Sequence, residues 1–228
     1  MTLARIAGLL ADETRAAFCM ALLDGRAWTA GELARQAGVS PSTASEHLSR
    51  LIAGGLLAEE RQGRHRYVRL ADPTVAALIE DLAAYAPSVA PAPRNLREST
   101  RMSAEARART CYDHLAGHLG VAVTDAILSR GLVSDEAGLA VTGPGRVWLA
   151  GLGIELPARR GSRPVVRSCL DWTERRVHLA GALGAALCGH ALDRRWVERI
   201  GSGRALRVTP DGGRAFKELL GIDVAREA

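Results

Sequence analysis

From Thr29 to Leu70 the spacing of apolar positions predicts three successive elements. A Thr29/Glu32 pair has the three-residue offset of a capping box and starts a helix that Gly38 ends. Ser40 then caps a second helix with Pro41 at its first position, where the missing N–H costs nothing. Its Ala44, Leu48, Leu51 and Ile52 recur at helical spacing as a buried stripe. Gly54-Gly55 closes that helix. Leu56 to Leu70 alternates with a period of two around Gln62-Gly63, which predicts a β-hairpin.

The opposite face of the second helix is polar. Ser42, Thr43, Glu46, Ser49 and Arg50 stand on it, with Ser40, Ser45 and His47 beside them, a set able to read base edges in a major groove. Arg61, Arg64, Arg66 and Arg69 run along the hairpin and suit phosphate or minor-groove contact. This order is that of a winged helix-turn-helix; the plainer alternative is a helical pair with a solvated, charged hairpin. Three segments, Asp12-Glu13-Thr14-Arg15, SPSTASEHLSRLIAGGLL and RQGRHRYVRL, together resemble the ArsR/SmtB family of bacterial transcriptional regulators over residues 3 to 86. The resemblance implies a DNA-binding regulator that dimerises through the helix following the wing. Two reading positions depart from the family, with Pro41 where a polar residue is common and Glu46 where His, Arg or Gln is common, so no target sequence carries over. The family's metal-sensing positions are empty as well: ELARQAG has no cysteine pair and the helix after Asp72 has no histidine.

Upstream, Leu3 to Ala11 reads as a short apolar helix, and Asp12 caps another whose Phe18, Leu22 and Leu23 face a core before Gly25. Downstream, Asp72-Pro73 opens VAALIEDLAAYA, whose Val75, Leu78, Ile79 and Leu82 form a stripe too large for so small a domain to cover. That suits a two-fold dimer presenting two reading helices roughly 34 Å apart to a palindrome. Pro87 to Pro93 is a stiff Pro/Ala run. The expected organisation is a DNA-binding and dimerisation domain over 1–86, a linker over 87–100 and an effector-sensing domain over 101–228.

The second half carries an internal echo. His114-Leu-Ala-Gly-His-Leu-Gly120 matches His178-Leu-Ala-Gly-Ala-Leu-Gly184, Leu139-Ala-Val-Thr142 matches Leu206-Arg-Val-Thr209, and GRVWLAGLGI matches GRAFKELLGI. Arg109-Thr-Cys-Tyr-Asp113 and Arg167-Ser-Cys-Leu-Asp171 precede them. These matches predict two winged-helix-like repeats, about 109–156 and 167–224, each a helix starting at the histidine, a short hairpin and a second helix. The whole is expected to be mainly α with short β-hairpins, an α+β fold.

Composition narrows the class. The 228 residues exceed one small DNA-binding domain, and 47% are hydrophobic without an apolar run of transmembrane length. No signal-peptide layout opens the chain, so a cytoplasmic protein with no membrane partner is expected, its four cysteines reduced. Net charge is +5, and Lys217 is the single lysine among 30 basic residues. Arg94 to Arg109 concentrates five arginines and is read as a connecting helix rather than a phosphate contact.

For the second half, Cys111, Tyr112, His114, Cys169, Trp172 and His178 are the groups a repeat axis would bring to an effector, and Trp148, Trp172 and Trp196 suggest an aromatic pocket or, equally, core packing. Cys111, His114 and His118 placed on one helical face, or Cys169, Asp171 and His178 close in sequence, could hold a soft metal, but buried, hydrogen-bonded histidines are the favoured reading, with no cofactor. The expected function is a sequence-specific, dimeric DNA-binding regulator, a repressor released by a small-molecule effector. The alternatives are an architectural DNA binder without an effector and an enzyme using a Cys/His pair. The enzyme is disfavoured because no phosphate loop or nucleophile elbow accompanies those residues.

Overall fold

A computed structural model of the chain describes residues 2–62, 65–85, 96–136, 138–157, 163–201 and 203–224. The fold mixes helix and sheet and divides into two compact units, Met1–Glu80 and Asp81–Ala228.

In the first unit, helix α1 (Leu3–Leu10) is capped by Thr2 and α2 (Glu13–Leu22) by Asp12, whose carboxylate accepts from the Arg15 amide at 2.9 Å. Arg15 folds back to donate to the carbonyls of Gly8 and Leu9, groups that the end of α1 leaves without intrahelical partners. The Thr29/Glu32 capping box opens α3 (Ala30–Ala37), and Gly38 closes it in the left-handed conformation, φ 69°. α4 (Pro41–Ala53) starts at the Ser40 cap and buries Ala44, Leu48 and Leu51 against Phe18, Leu22 and Leu33. Fully burying one such leucine stabilises the unit by about 1.5–3 kcal/mol. Strands β2 (Leu57–Gln62) and β3 (His65–Leu70) pair antiparallel with Gln62 opposite His65; Gly63 and Arg64 lie outside the described residues. A strand that the alternation did not signal, β1 (Trp28–Thr29), adds to β3 and makes a three-stranded sheet in the order β1-β3-β2. Two residues are too few to show a period, but Trp28 is fixed by its indole N–H donating to the buried Asp24 carboxylate at 2.8 Å. α5 (Pro73–Tyr85) follows, with Asp72 accepting from the Thr74 and Val75 amides.

In the second unit α6 (Leu96–Arg107) covers the end of the expected 87–100 linker, of which residues 87–95 are outside the described residues. An element series then occurs twice. First come β4 (Arg109–Cys111), β5 (His114–Ala116), α7 (Gly117–Ser129), β6 (Val133–Ser134), β7 (Ala140–Val141) and α8 (Gly143–Gly151). Then come β8 (Arg167–Leu170), β9 (Val177–Ala180), α9 (Gly181–Asp193), β10 (Val197–Arg199), β11 (Leu206–Val208) and α10 (Pro210–Leu220). This corrects the reading that His114 and His178 begin helices: both lie on strands, and each helix starts three residues later at a glycine with positive φ, Gly117 or Gly181. The apolar run through Leu-Ala-Gly fits either period, and cross-strand pairing decides it. Local chemistry recurs too, since Thr142 and Thr209 cap α8 and α10 in the same way, each accepting at 3.0 Å from the amide three residues on. The two sets interlock: α9 packs on β5 and α7 on β9 around a common core that includes Ile127, Leu183, Val197 and Phe216.

The aromatic pocket does not follow from the aromatic residues. Trp196 stands edge-on to Phe216 and His190, Trp148 packs against the common core, and Trp172 lies under the Arg109 guanidinium at 4.8 Å. Among the described residues no helix is long and apolar enough to cross a membrane.

Candidate functional site

The exposed side of α4 carries Ser42, Ser45, Glu46, Ser49 and Arg50, as the helical period requires once Ala44, Leu48 and Leu51 are buried. Ser40 accepts from the Thr43 amide and shares hydrogen bonds with the Ser42 and Thr43 hydroxyls, so these three are partly committed to the helix start. Glu46 and Arg50 pair across one turn. Such exposed pairs contribute only about 0.3–0.5 kcal/mol, less than the ~1–3 kcal/mol of one good base contact, so a base edge can displace either partner. His47 departs from the expectation. Its Nδ1 lies 3.3 Å from Arg15 and 3.5 Å from Asp12, which turns the ring inward to brace α4 on α2. On the wing, Glu59 holds both Arg61 (3.0 Å) and Arg66 (2.7 Å), and those hydrogen bonds keep its carboxyl below the ordinary range. Arg64 lies outside the described residues.

The second unit contains a different kind of site, buried and polar. Cys111 pairs across β4–β5 with His114, and Cys169 pairs across β8–β9 with His178. All four side chains are buried, and one ligand atom from each falls within 4.8 Å of every other. The histidines meet Nε2 to Nε2 at 3.1 Å. Tyr112 takes a left-handed φ of 55° in the tight turn joining β4 to β5, which lets Cys111 and His114 face one another. Two glycines admit the rings. A Cβ on Gly184 would stand 3.1 Å from that of His114, and one on Gly120 would stand 3.6 Å from that of His178, so each helix leaves room for the other set's histidine.

Each imidazole has a carboxylate behind it. His178 Nδ1 lies 3.2 Å from Asp171, and His114 Nδ1 lies 3.5 Å from Asp113. The acids are anchored in turn. Asp171, fully buried, accepts from Arg109, from the Thr173 hydroxyl and from the Gly117 and Thr173 amides. Asp113 receives two hydrogen bonds from Arg163, at 2.6 and 2.8 Å, and Arg163 also donates to the Gly181 carbonyl. Burial alone would lift the Asp171 carboxyl. Hydrogen bonding from His178 and the Arg109 charge outweigh it and hold the acid far below the usual carboxylate range. Burial also works against a charged His178, yet Asp171 and Cys111 raise its pKa above the ordinary imidazole value. The other two cysteines are of another kind: burial pushes Cys19 and Cys188 up to about 12, which keeps them as inert thiols. No disulfide joins any of the four.

Of the six residues expected to meet an effector, the fold therefore gathers Cys111, His114, Cys169 and His178 at one point. Tyr112 sits in the adjoining turn, and Trp172 packs on Arg109. His118 leaves the group; it lies on α7, 3.4 Å from Glu174. Asp171, expected beside Cys169 and His178, stands behind the His178 ring, whereas Asp113, Arg109 and Arg163 were missed as site residues, although the Cys-x-Asp of the first echo, Cys111-Tyr-Asp113, was the available signal.

A polar-faced second helix beside an arginine-bearing hairpin defines a DNA-binding module of the winged-helix class. A family profile for a helix-turn-helix domain matches residues 10–60. Over 97% of its length and 98% of the relative's, the chain is 41% identical to YdfF of Bacillus subtilis (strain 168), an uncharacterised HTH-type transcriptional regulator. It is 40% identical over 80 residues to the HTH-type transcriptional regulator CmtR of Mycobacterium tuberculosis, which covers 35% of this chain and 67% of CmtR. Among solved structures, the cadmium metal-sensor CmtR of M. tuberculosis matches at TM-score 0.32 and 38% identity, covering 38% of this chain and 86% of that one. The homodimeric winged helix-turn-helix domain of Mb0332 from Mycobacterium bovis matches at 0.35 and 31%, covering 37% and 77%. The protein belongs to the HTH-type transcriptional regulators.

Proposed function

We propose that the protein is a dimeric repressor that reads a palindromic operator with the exposed face of α4, anchors on phosphate through the wing, and responds to an effector bound by residues 101–228. The observation that carries the reading is the polar face of α4, where Ser42, Ser45, Glu46, Ser49 and Arg50 stand exposed while the helix's opposite side is fully buried. Arg61 and Arg66 need only exchange the Glu59 carboxylate for phosphate oxygens. Dimerisation is supported by α5 at its end, where Leu82 is half-exposed and Tyr85 exposed, although Ile79 of the expected uncovered stripe is buried within the chain and Val75 and Leu78 are partly so. Repression then requires only that the bound dimer occupy the DNA that polymerase needs. A regulator, not an enzyme, is also the reading that YdfF favours.

The test is footprinting of the full-length protein on DNA upstream of its own gene, followed by anisotropy titrations across salt. Two protected half-sites about one helical turn apart are expected, and Arg66→Ala should flatten the salt slope by about one unit, the contribution of one phosphate contact. A slope unchanged by Arg66→Ala would remove the wing from the interface, and a single unpaired half-site would remove the dimer.

A further inference from the structure

We infer that Cys111, His114, Cys169 and His178 form a tetrahedral site for a thiophilic divalent metal ion, zinc by its ligand chemistry, clamped between the β4–β5 and β8–β9 hairpins. Four lines of geometry converge on it. First, the donor set is two sulfurs and two imidazole nitrogens, a combination that suits zinc, cadmium or cobalt and disfavours magnesium and calcium. Second, the size fits. Metal–nitrogen bonds of ~2.0–2.1 Å and metal–sulfur bonds of ~2.3 Å make a tetrahedron with edges of roughly 3.3–3.8 Å. The observed Nε2–Nε2 edge is 3.1 Å, and no edge exceeds 4.8 Å.

Third, the histidines are oriented from behind. Asp113 and Asp171 lie on the Nδ1 side of the two rings, at 3.5 and 3.2 Å, and both Nε2 atoms are turned towards the centre of the cluster, the arrangement in which a carboxylate behind a histidine orients it as a ligand. The two Nε2 atoms stand 3.1 Å apart in a dry interior, where a cation between them would be held by two bonds. Fourth, the charge closes. Binding displaces two thiol protons to solvent and forms two metal–sulfur and two metal–nitrogen bonds with no change in oxidation state. Two thiolates then neutralise the divalent ion, so no net charge is left buried in the centre.

The site lies in the second unit, away from the positions at which the resembled family senses metal, where ELARQAG has no cysteine pair and the helix after Asp72 no histidine. Each hairpin supplies one cysteine and one histidine, so neither can bind alone. The consequence for regulation rests on the sensing role proposed above; binding itself does not.

Full-length protein, reduced and stripped by chelator, is titrated with cobalt(II). We expect one equivalent per chain, the visible absorption of tetrahedral cobalt, sulfur-to-cobalt charge transfer, and displacement by zinc(II). Cys111→Ser and Cys169→Ser should each weaken binding by more than the about 10–100-fold that a lost carboxylate behind a ligand costs, and Asp113→Asn should fall within that range. Cys188→Ser, which changes a buried thiol of α9 outside the cluster, should leave binding as it was. Native mass spectrometry of the unsubstituted protein, showing one retained zinc per chain, guards against variants that do not fold. Weak octahedral cobalt binding, binding indifferent to both cysteine variants, or a Cys111–Cys169 disulfide in protein kept reduced would each overturn the site. Operator titrations with loaded and stripped protein separate the two claims: equal affinity would reject metal sensing while the spectroscopic site stands.

Discussion

The two units put their polar residues to opposite uses. In Met1–Glu80 the polar side chains that matter stand outside a leucine core and hold one another loosely, as Glu46 holds Arg50 and Glu59 holds Arg61 and Arg66. In Asp81–Ala228 they are inside it, with Arg109, His114, Asp171 and His178 all buried and locked in a single network. An exposed pair can be exchanged for a nucleic acid at little cost. A buried network cannot lose a member cheaply, because each remaining charge keeps its desolvation penalty. A surface proposed to read DNA and a centre proposed to hold a metal thus demand opposite environments, and the two candidates fall in separate units.

The contrast is broken most severely at Asp171. Asp171→Ala leaves the Arg109 guanidinium buried without its carboxylate and should cost about 3–5 kcal/mol. The loss is read from a thermal melt followed by tryptophan fluorescence, since Trp148, Trp172 and Trp196 all belong to this unit. Recovery of much of the melting temperature on adding Arg109→Leu would tie the loss to the stranded charge; no recovery would point to Asp171's contacts with the Gly117 and Thr173 amides. In the first unit the comparable injury is apolar. Leu48→Ala should cost about 2–5 kcal/mol through lost burial and the cavity left behind, measured by urea denaturation. A cost under about 1 kcal/mol would mean that the core collapses around the gap.

Smaller effects sharpen the surface half of the comparison. Glu46→Ala should alter which base pairs are preferred, by about 1–3 kcal/mol at the matched position, in competition binding against a panel of substituted operators. Uniform weakening across the panel would show that Glu46 reads no base. Thr29→Ala removes one arm of the capping box and should lower stability by about 0.5–2 kcal/mol while leaving base preference untouched. A shift of preference would mean that α3 positions the reading helix through its cap.

Legibility in the sequence followed the same divide. The winged unit was readable almost element by element, because Thr29/Glu32, Ser40-Pro41 and the alternation from Leu56 are local signals whose meaning does not depend on distant residues. Its one element without a local signal, β1, is two residues held by a tertiary contact to Asp24, and the contact of His47 with Asp12 and Arg15 has no local signal either, since Arg15 lies 32 positions away in sequence. In the second unit the echo of His-Leu-Ala-Gly was visible, but its secondary structure was not, since a strand of three or four residues shows too little period to distinguish it from the first turn of a helix. The cysteine–histidine centre was half legible. Its members are nameable from the sequence as two separate sets, Cys111 and His114 with His118 on one helical face and Cys169 and His178 with Asp171, and only the pairing of β4 with β5 and of β8 with β9 reveals the single grouping that excludes His118.

His114 and His178 touch although 64 positions separate them, and the glycine that admits each ring comes from the opposite element set. Such an arrangement has a kinetic signature. Contacts of high sequence separation require a long loop to close before any favourable contact offsets the lost chain entropy, so this unit should reach its native state slowly and in one concerted step. The helix-rich winged unit, whose contacts are mostly local, should complete its own folding sooner, and during synthesis it also leaves the ribosome first. A nascent chain would on this schedule own a finished reading head while its second hairpin was still being made.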